Sequence, residues 1–107
     1  MKEQASREAQ TADVASPGRA RGLGEVAAEQ LDVLLDALAV TSRLSRTPEY
    51  ARRFDVALAD KDHTAVQRLL VEAGVRNRFV IEELTARKIT VEYHSPKCHT
   101  IKVTYEE

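Results

Sequence analysis

Between Gly74 and Phe79 the hydrophobic period of this chain changes, and that change constrains its fold more than any other feature. Upstream, apolar residues recur three and four positions apart, as on one face of a helix. Downstream they alternate with polar residues, as on a strand with one buried and one wet face. The closing stretch, RFVIEELTARKITVEYHSPKCHTIKVTYEE, therefore predicts three strands at 78–84, 88–94 and 100–106 joined as an antiparallel meander.

A register follows, because paired strands bring same-face residues opposite one another. In the second hairpin Tyr93 should face Ile101, Val91 should face Val103 and Ile89 should face Tyr105, which also sets Glu92 against Lys102 and Thr90 against Thr104. In the first, Phe79 should face Tyr93 and Ile81 should face Val91, with Thr85-Ala86-Arg87 as the loop. VIEELTARK is also rich in helix formers, so a fourth helix is the alternative for this strand.

Three helices are expected before the sheet, at 25–45, 48–59 and 63–73. In the first, Leu31, Leu34, Leu35 and Leu38 fall at i, i+3, i+4 and i+7, the spacing of a core-facing stripe. Val26, Ala27, Val33, Val40 and Leu44 widen the apolar surface, and of these Val33, Val40 and Leu44 are the residues expected to meet a protein partner or a second copy. Thr47-Pro48-Glu49 restarts the chain as N-cap, first-turn proline and first-turn acid. Tyr50, Phe54, Ala57 and Leu58 form the apolar face of the second helix. Asp62 caps the third, Val66, Leu69, Leu70 and Ala73 line its buried side, and Gly74 ends it.

The fold class implied is α+β, with two or three helices on one face of a small three-stranded meander. Its buried layer is expected to hold the four leucines, Tyr50, Phe54, Leu58, Val66, Leu69, Leu70, Phe79, Ile81, Ile89, Val91, Tyr93, Ile101, Val103 and Tyr105. Residues 1–24 carry almost nothing large and apolar and are expected to be a flexible N-terminal tail. The domain then spans 25–107, near the size at which one core becomes marginal, which makes dimerisation a live option.

Composition removes several functions. A net charge of −1 gives no general electrostatic attraction to nucleic acid. A helix-turn-helix use of the second and third helices would expose only His63, Gln67, Arg68 and Glu72 to read bases. One cysteine rules out an intramolecular disulfide. No apolar run has signal-peptide or membrane-spanning length, so a cytoplasmic location is expected.

Reactive side chains gather only at His94, Cys98 and His99, around the turn Ser95-Pro96-Lys97. They are soft or borderline metal ligands within six residues. Adjacent residues of an extended segment point opposite ways, however, and a fourth ligand would have to come from His63 or a distant carboxylate. A cysteine–histidine dyad would need an orienting group and oxyanion donors that no motif supplies. Asp32 and Asp36, one helical turn apart, have the spacing of a solvated face. No enzyme activity and no cofactor are implied.

The stretch TPEYARRFDVALADKDHTAVQRLLVEAG resembles the helical leader of ribosomally made peptide precursors of the nitrogen-fixation-island type, with their Pro-Glu-led helix, short acidic break and second helix ending in Glu-Ala-Gly. The resemblance implies a precursor or carrier peptide that docks on a modifying enzyme through its helices. After Gly74, though, amphipathic strands stand where such precursors have a double glycine and a Cys/Ser/Thr-rich core. Asp62 to Gly74 is also similar to the second half of an ankyrin unit, without any 33-residue repeat. The leading expectation is a small non-enzymatic interaction or regulatory protein that binds a protein partner or itself.

Overall fold

In the computed structural model, which describes residues 22–107, the chain forms α1 (Leu23–Arg46), α2 (Pro48–Ala59), α3 (His63–Ala73), β1 (Phe79–Leu84), β2 (Lys88–His94) and β3 (Thr100–Glu106). The order is the expected α+β one, and the segment that might have been a fourth helix is strand β1. Residues 1–21 of the expected tail lie outside the described residues. Its last two residues belong to α1, which starts at Leu23 instead of position 25. The reason is a backbone cap: the Gly22 carbonyl accepts from the N–H groups of Glu25 and Val26 at 3.1 and 3.2 Å, and the Gly22 N–H donates to the Glu25 carboxylate at 3.2 Å. This is the return half of a capping box, which needs no side chain at the cap itself.

The helix junctions follow their turn chemistry. Thr47 closes α1 by donating its N–H to the Arg43 carbonyl at 2.9 Å and opens α2 by accepting from Ala51 at 3.0 Å. Its hydroxyl makes no cap bond, so backbone and Pro48 hold that corner. At the end of α2, Lys61 and Asp62 donate to the carbonyls of Leu58 and Ala57, both at 2.9 Å. That Schellman arrangement puts Lys61 in the left-handed region at φ 50°. Asp62 then accepts from the Ala65 N–H at 3.1 Å and starts α3. Gly74, at φ 109°, ends it.

The sheet has order β1-β2-β3, antiparallel throughout. Every expected pair of the second hairpin is present, from Tyr93 opposite Ile101 to Ile89 opposite Tyr105. Phe79 and Ile81 face Tyr93 and Val91 as expected, but the register then slips by one between Ile81 and Glu83. Glu82 is the extra residue of a bulge. Without it Leu84 would point to solvent; with it Leu84 stands opposite Ile89 and turns inward, giving the burial alternation its irregular end. Glu92 sits opposite Lys102, yet the lysine ion-pairs at 3.2 Å with Glu82 on the far strand, while Glu92 meets His94 at 3.0 Å.

The core corrects the reading of α1. Its buried residues are Val33, Asp36, Ala37 and Val40, packed with Tyr50, Phe54, Leu58, Val66, Leu69, Leu70, Ile89, Val91 and Tyr93. Leu31, Leu34, Leu35 and Leu38, expected inside, are 50, 50, 49 and 59% exposed. Val33 and Val40, expected at the surface, have no exposure. Phe79, Ile81, Ile101, Val103 and Tyr105 are partly buried on the outer strands rather than enclosed.

Polar contacts explain the inversion. Turned so that the valines face the core, α1 brings the Asp36 carboxylate to the loop between α3 and β1, where it accepts from the Arg76 N–H at 3.0 Å, the Asn77 N–H at 3.1 Å and the Asn77 side-chain amide at 3.2 Å. The same rotation sets Glu29 against His99 at 2.9 Å and Thr41 against the Tyr105 hydroxyl at 2.7 Å. Asp36, only 3% exposed, is thus not part of a solvated face with Asp32. It is a buried bracket between α1 and the start of the sheet.

Candidate functional site

The surface that α1 turns away from the core is the most unusual of the described residues. Two apolar stripes run along this helix on opposite sides. Val33, Ala37, Val40 and Leu44 (i, i+4, i+7, i+11) take the inner one, Leu44 packing at its margin. Leu31, Leu34, Leu35 and Leu38 take the outer one and are about half exposed each. No charged residue interrupts the outer face between Gly24 and Ser45; Ala27, Ala28, Ser42 and Ser45 extend it toward both ends. Scattered surface leucines are ordinary, but four on one contiguous helical face form a patch of the kind that marks a binding surface.

A shallow groove of about 500 Å³ continues this face toward α3, lined by Leu35, Leu38, Ala39, Ser42, Arg43 and Arg46 among others. Its wall is fixed by a charged cluster. Arg53 makes a bidentate bond to Glu72 at 2.9 and 2.7 Å. Arg43 reaches the same carboxylate at 3.5 Å, donates to the Glu72 carbonyl at 3.1 Å and lies 5.0 Å over the Tyr50 ring. Hydrogen bonding from Arg53 holds the Glu72 carboxyl below its ordinary range, and the same bond raises the Arg53 guanidinium. Beneath the cluster, the Tyr50 hydroxyl donates to the Leu69 carbonyl. Burial pushes its pKa up to about 12, with Arg43 partly opposing the rise.

The second region singled out by sequence, His94 to His99, is a built turn. Ser95, 7% exposed, organises it by accepting from the Lys97 and His99 N–H groups, both at 3.1 Å, while the Ser95 N–H donates to the His99 carbonyl at 2.8 Å. Cys98 is exposed and adopts φ 70°. The two histidines are held by different partners: His94 lies between Glu92 at 3.0 Å and Arg78 at 3.4 Å, whereas His99 is drawn to Glu29 of α1. Among the described residues no three His, Cys, Asp or Glu side chains are grouped to hold a metal ion. An open cleft of about 530 Å³ beside the turn is lined by Asn77, Arg78, His94, Ser95, Pro96, Cys98 and Thr100.

One core group is unusual. The Tyr93 hydroxyl is buried and meets no partner at hydrogen-bonding geometry; burial and then the neighbouring Tyr105 phenol raise its pKa. Tyr105 has its own hydroxyl on Thr41. Tyr93 borders none of the surface grooves described here, so its orphan hydroxyl is a feature of packing.

Sequence reasoning therefore found the apolar surplus of α1 but assigned its two sides the wrong way round, with the leucines in the core and Val33 and Val40 at the surface. No described helix is long and apolar enough to cross a membrane. Compared with protein-family models, curated proteins and solved structures, the chain matches none of them.

Proposed function

We propose that this chain is a small non-enzymatic interaction or regulatory protein that acts by binding a protein, a partner or itself, through the outer face of α1. One observation carries the reading: four leucines of a single helix stand about half exposed in a contiguous patch while the opposite side of the same helix is packed. Leaving that patch in water forgoes about 1 kcal/mol per leucine, half the value of burying the whole side chain. A binding surface gives this arrangement a use. A cytoplasmic setting fits a chain with one free, exposed thiol.

Leu34→Glu/Leu38→Glu tests the reading, since both changes lie on the exposed side. The variant should keep the wild-type circular dichroism and melting cooperativity and lose every association the wild-type chain makes. Associations that survive the double substitution would refute the surface.

A second reading, a precursor or carrier peptide modified at the Cys98 turn, draws support from the exposed thiol at φ 70°. Against it, Phe54, Leu58, Leu69 and Leu70 of the leader-like helices are buried in the core, so docking by those faces would require unfolding. An intact mass equal to the sequence mass in native material would end it.

A further inference from the structure

Resting on the reading of α1 as an interaction surface, we propose that its occupant is a second copy of this chain, with the two α1 helices packed antiparallel about a twofold axis near Leu34 and Leu35. The pattern of the face is self-complementary in that register. Leu31 lies opposite the partner's Leu38 and Leu34 opposite the partner's Leu35, so all four leucines of each copy are covered at once. Toward the ends, Gly24 meets the partner's Ser45 and Ala27 the partner's Ser42; these small residues let the helices approach. Shifting the helices by one turn in either direction leaves a leucine of each copy facing a small residue.

Charge selects the same orientation. Glu25 lies on the first turn of α1 and Arg43 and Arg46 on the last. All three sit on one flank of the leucine face, as does the exposed Asp32, and a twofold axis perpendicular to the helices brings that flank against itself, with the two Asp32 side chains about 7–8 Å apart along the axis. Glu25 then falls about 3 Å along the axis from the partner's Arg46, given the rise per residue of a helix. A parallel arrangement would set that flank against the partner's opposite one, where Leu23, Gln30 and Thr41 offer Glu25 no positive charge. The helix macrodipoles favour the antiparallel choice as well.

Other occupants fit less well. Residues 1–21 contain only Met1 and Val14 as large apolar side chains, too few to cover four leucines. Four half-exposed leucines per copy on a face roughly 30 Å long and 10 Å wide cover only about 300 Å² each, so the interface lies at or below the lower limit for a specific one, about 500 Å² per partner. A micromolar, exchanging dimer is the consequence, not an obligate one.

Sedimentation equilibrium of the full chain from about 10 to 500 µM, spanning the expected dissociation constant, tests this. The wild type should move from monomer to dimer across that range. Leu34→Glu/Leu38→Glu should remain monomeric throughout. Glu25→Arg should weaken the dimer roughly tenfold by placing like charges at both ends, and adding Arg46→Glu should restore it. A wild-type chain monomeric at the highest concentration overturns the self-pairing, as does a dimer unaffected by the leucine substitutions or a Glu25→Arg loss that Arg46→Glu fails to reverse. If the chain is monomeric but captures a different protein through a contact that Leu34→Glu/Leu38→Glu abolishes, self-pairing fails while the surface stands. If it is monomeric and makes no such contact, both fail.

Discussion

Replacing Asp36 with alanine should remove a large share of the protein's stability, although nothing in the sequence separates this residue from Asp32. The carboxylate accepts three hydrogen bonds, from the Arg76 and Asn77 N–H groups and the Asn77 side chain, at 3.0, 3.1 and 3.2 Å. Its exposure is 3%. A hydrogen bond to a charged acceptor contributes about 1.5–3 kcal/mol, and a buried donor left without a partner costs about 1–3 kcal/mol. The three bonds share one carboxylate and do not add fully, so the loss is about 3–5 kcal/mol. A domain of this size has roughly 4–13 kcal/mol in total.

Urea unfolding followed by far-ultraviolet circular dichroism gives the difference directly. Asp36→Asn keeps one acceptor oxygen and should fall between wild type and alanine. Asp32→Ala, on the exposed side, should change stability by less than about 0.5 kcal/mol. The Arg76 and Asn77 amides should also lose hydrogen-exchange protection in Asp36→Ala before the rest of the sheet. A loss below about 1 kcal/mol for Asp36→Ala would mean the bracket does not hold the loop in solution.

Tyr50 predicts an alkaline limit to stability. Its pKa is raised from 10.0 to about 12 by burial, so the folded state favours the neutral phenol; that stabilisation is complete below pH 10 and is lost as the pH rises to about 12, a decline of about 2–3 kcal/mol that should be shallower in Tyr50→Phe when denaturation is measured across that range. Tyr93→Phe removes a buried hydroxyl without a partner and should leave stability unchanged or raise it by about 1 kcal/mol; a clear loss in thermal melting would reveal a bond that the packing hides. Lys61→Gly relieves a left-handed residue at φ 50° and should stabilise by about 0.5–1 kcal/mol in the same melts, with a decrease as the contrary result.

Strand pairing was legible because alternation has a period of two, so one correct pair fixes all the others: placing Tyr93 opposite Ile101 carries Val91, Ile89 and Thr90 with it. Only the bulge escaped, and its signal was present in the three-residue spacing of Ile81 and Leu84, two inward residues that strict alternation cannot place on one face. Helix α1 was harder for a physical reason. It carries two apolar stripes, and hydrophobic period alone does not say which one faces the core. Size favoured the leucines; the decision came from Asp36, Glu29 and Thr41, whose partners at Arg76, Asn77, His99 and Tyr105 lie more than thirty residues away in sequence. Long-range polar contacts leave no local pattern. The His94, Cys98 and His99 cluster shows the converse: close in sequence, its histidines are drawn to Glu92 and Glu29 on different elements.

Methyl NMR of the full chain, with a soluble paramagnetic probe at two protein concentrations, tests the orientation and the use of α1 together. In dilute solution the methyl groups of Leu31, Leu34, Leu35 and Leu38 should be strongly relaxed by the probe and those of Val33 and Val40 untouched; in concentrated solution the leucines alone should become protected. Relaxed valines beside protected leucines at both concentrations would mean that the helix faces the other way, and leucines equally relaxed at both would mean that no second copy covers them.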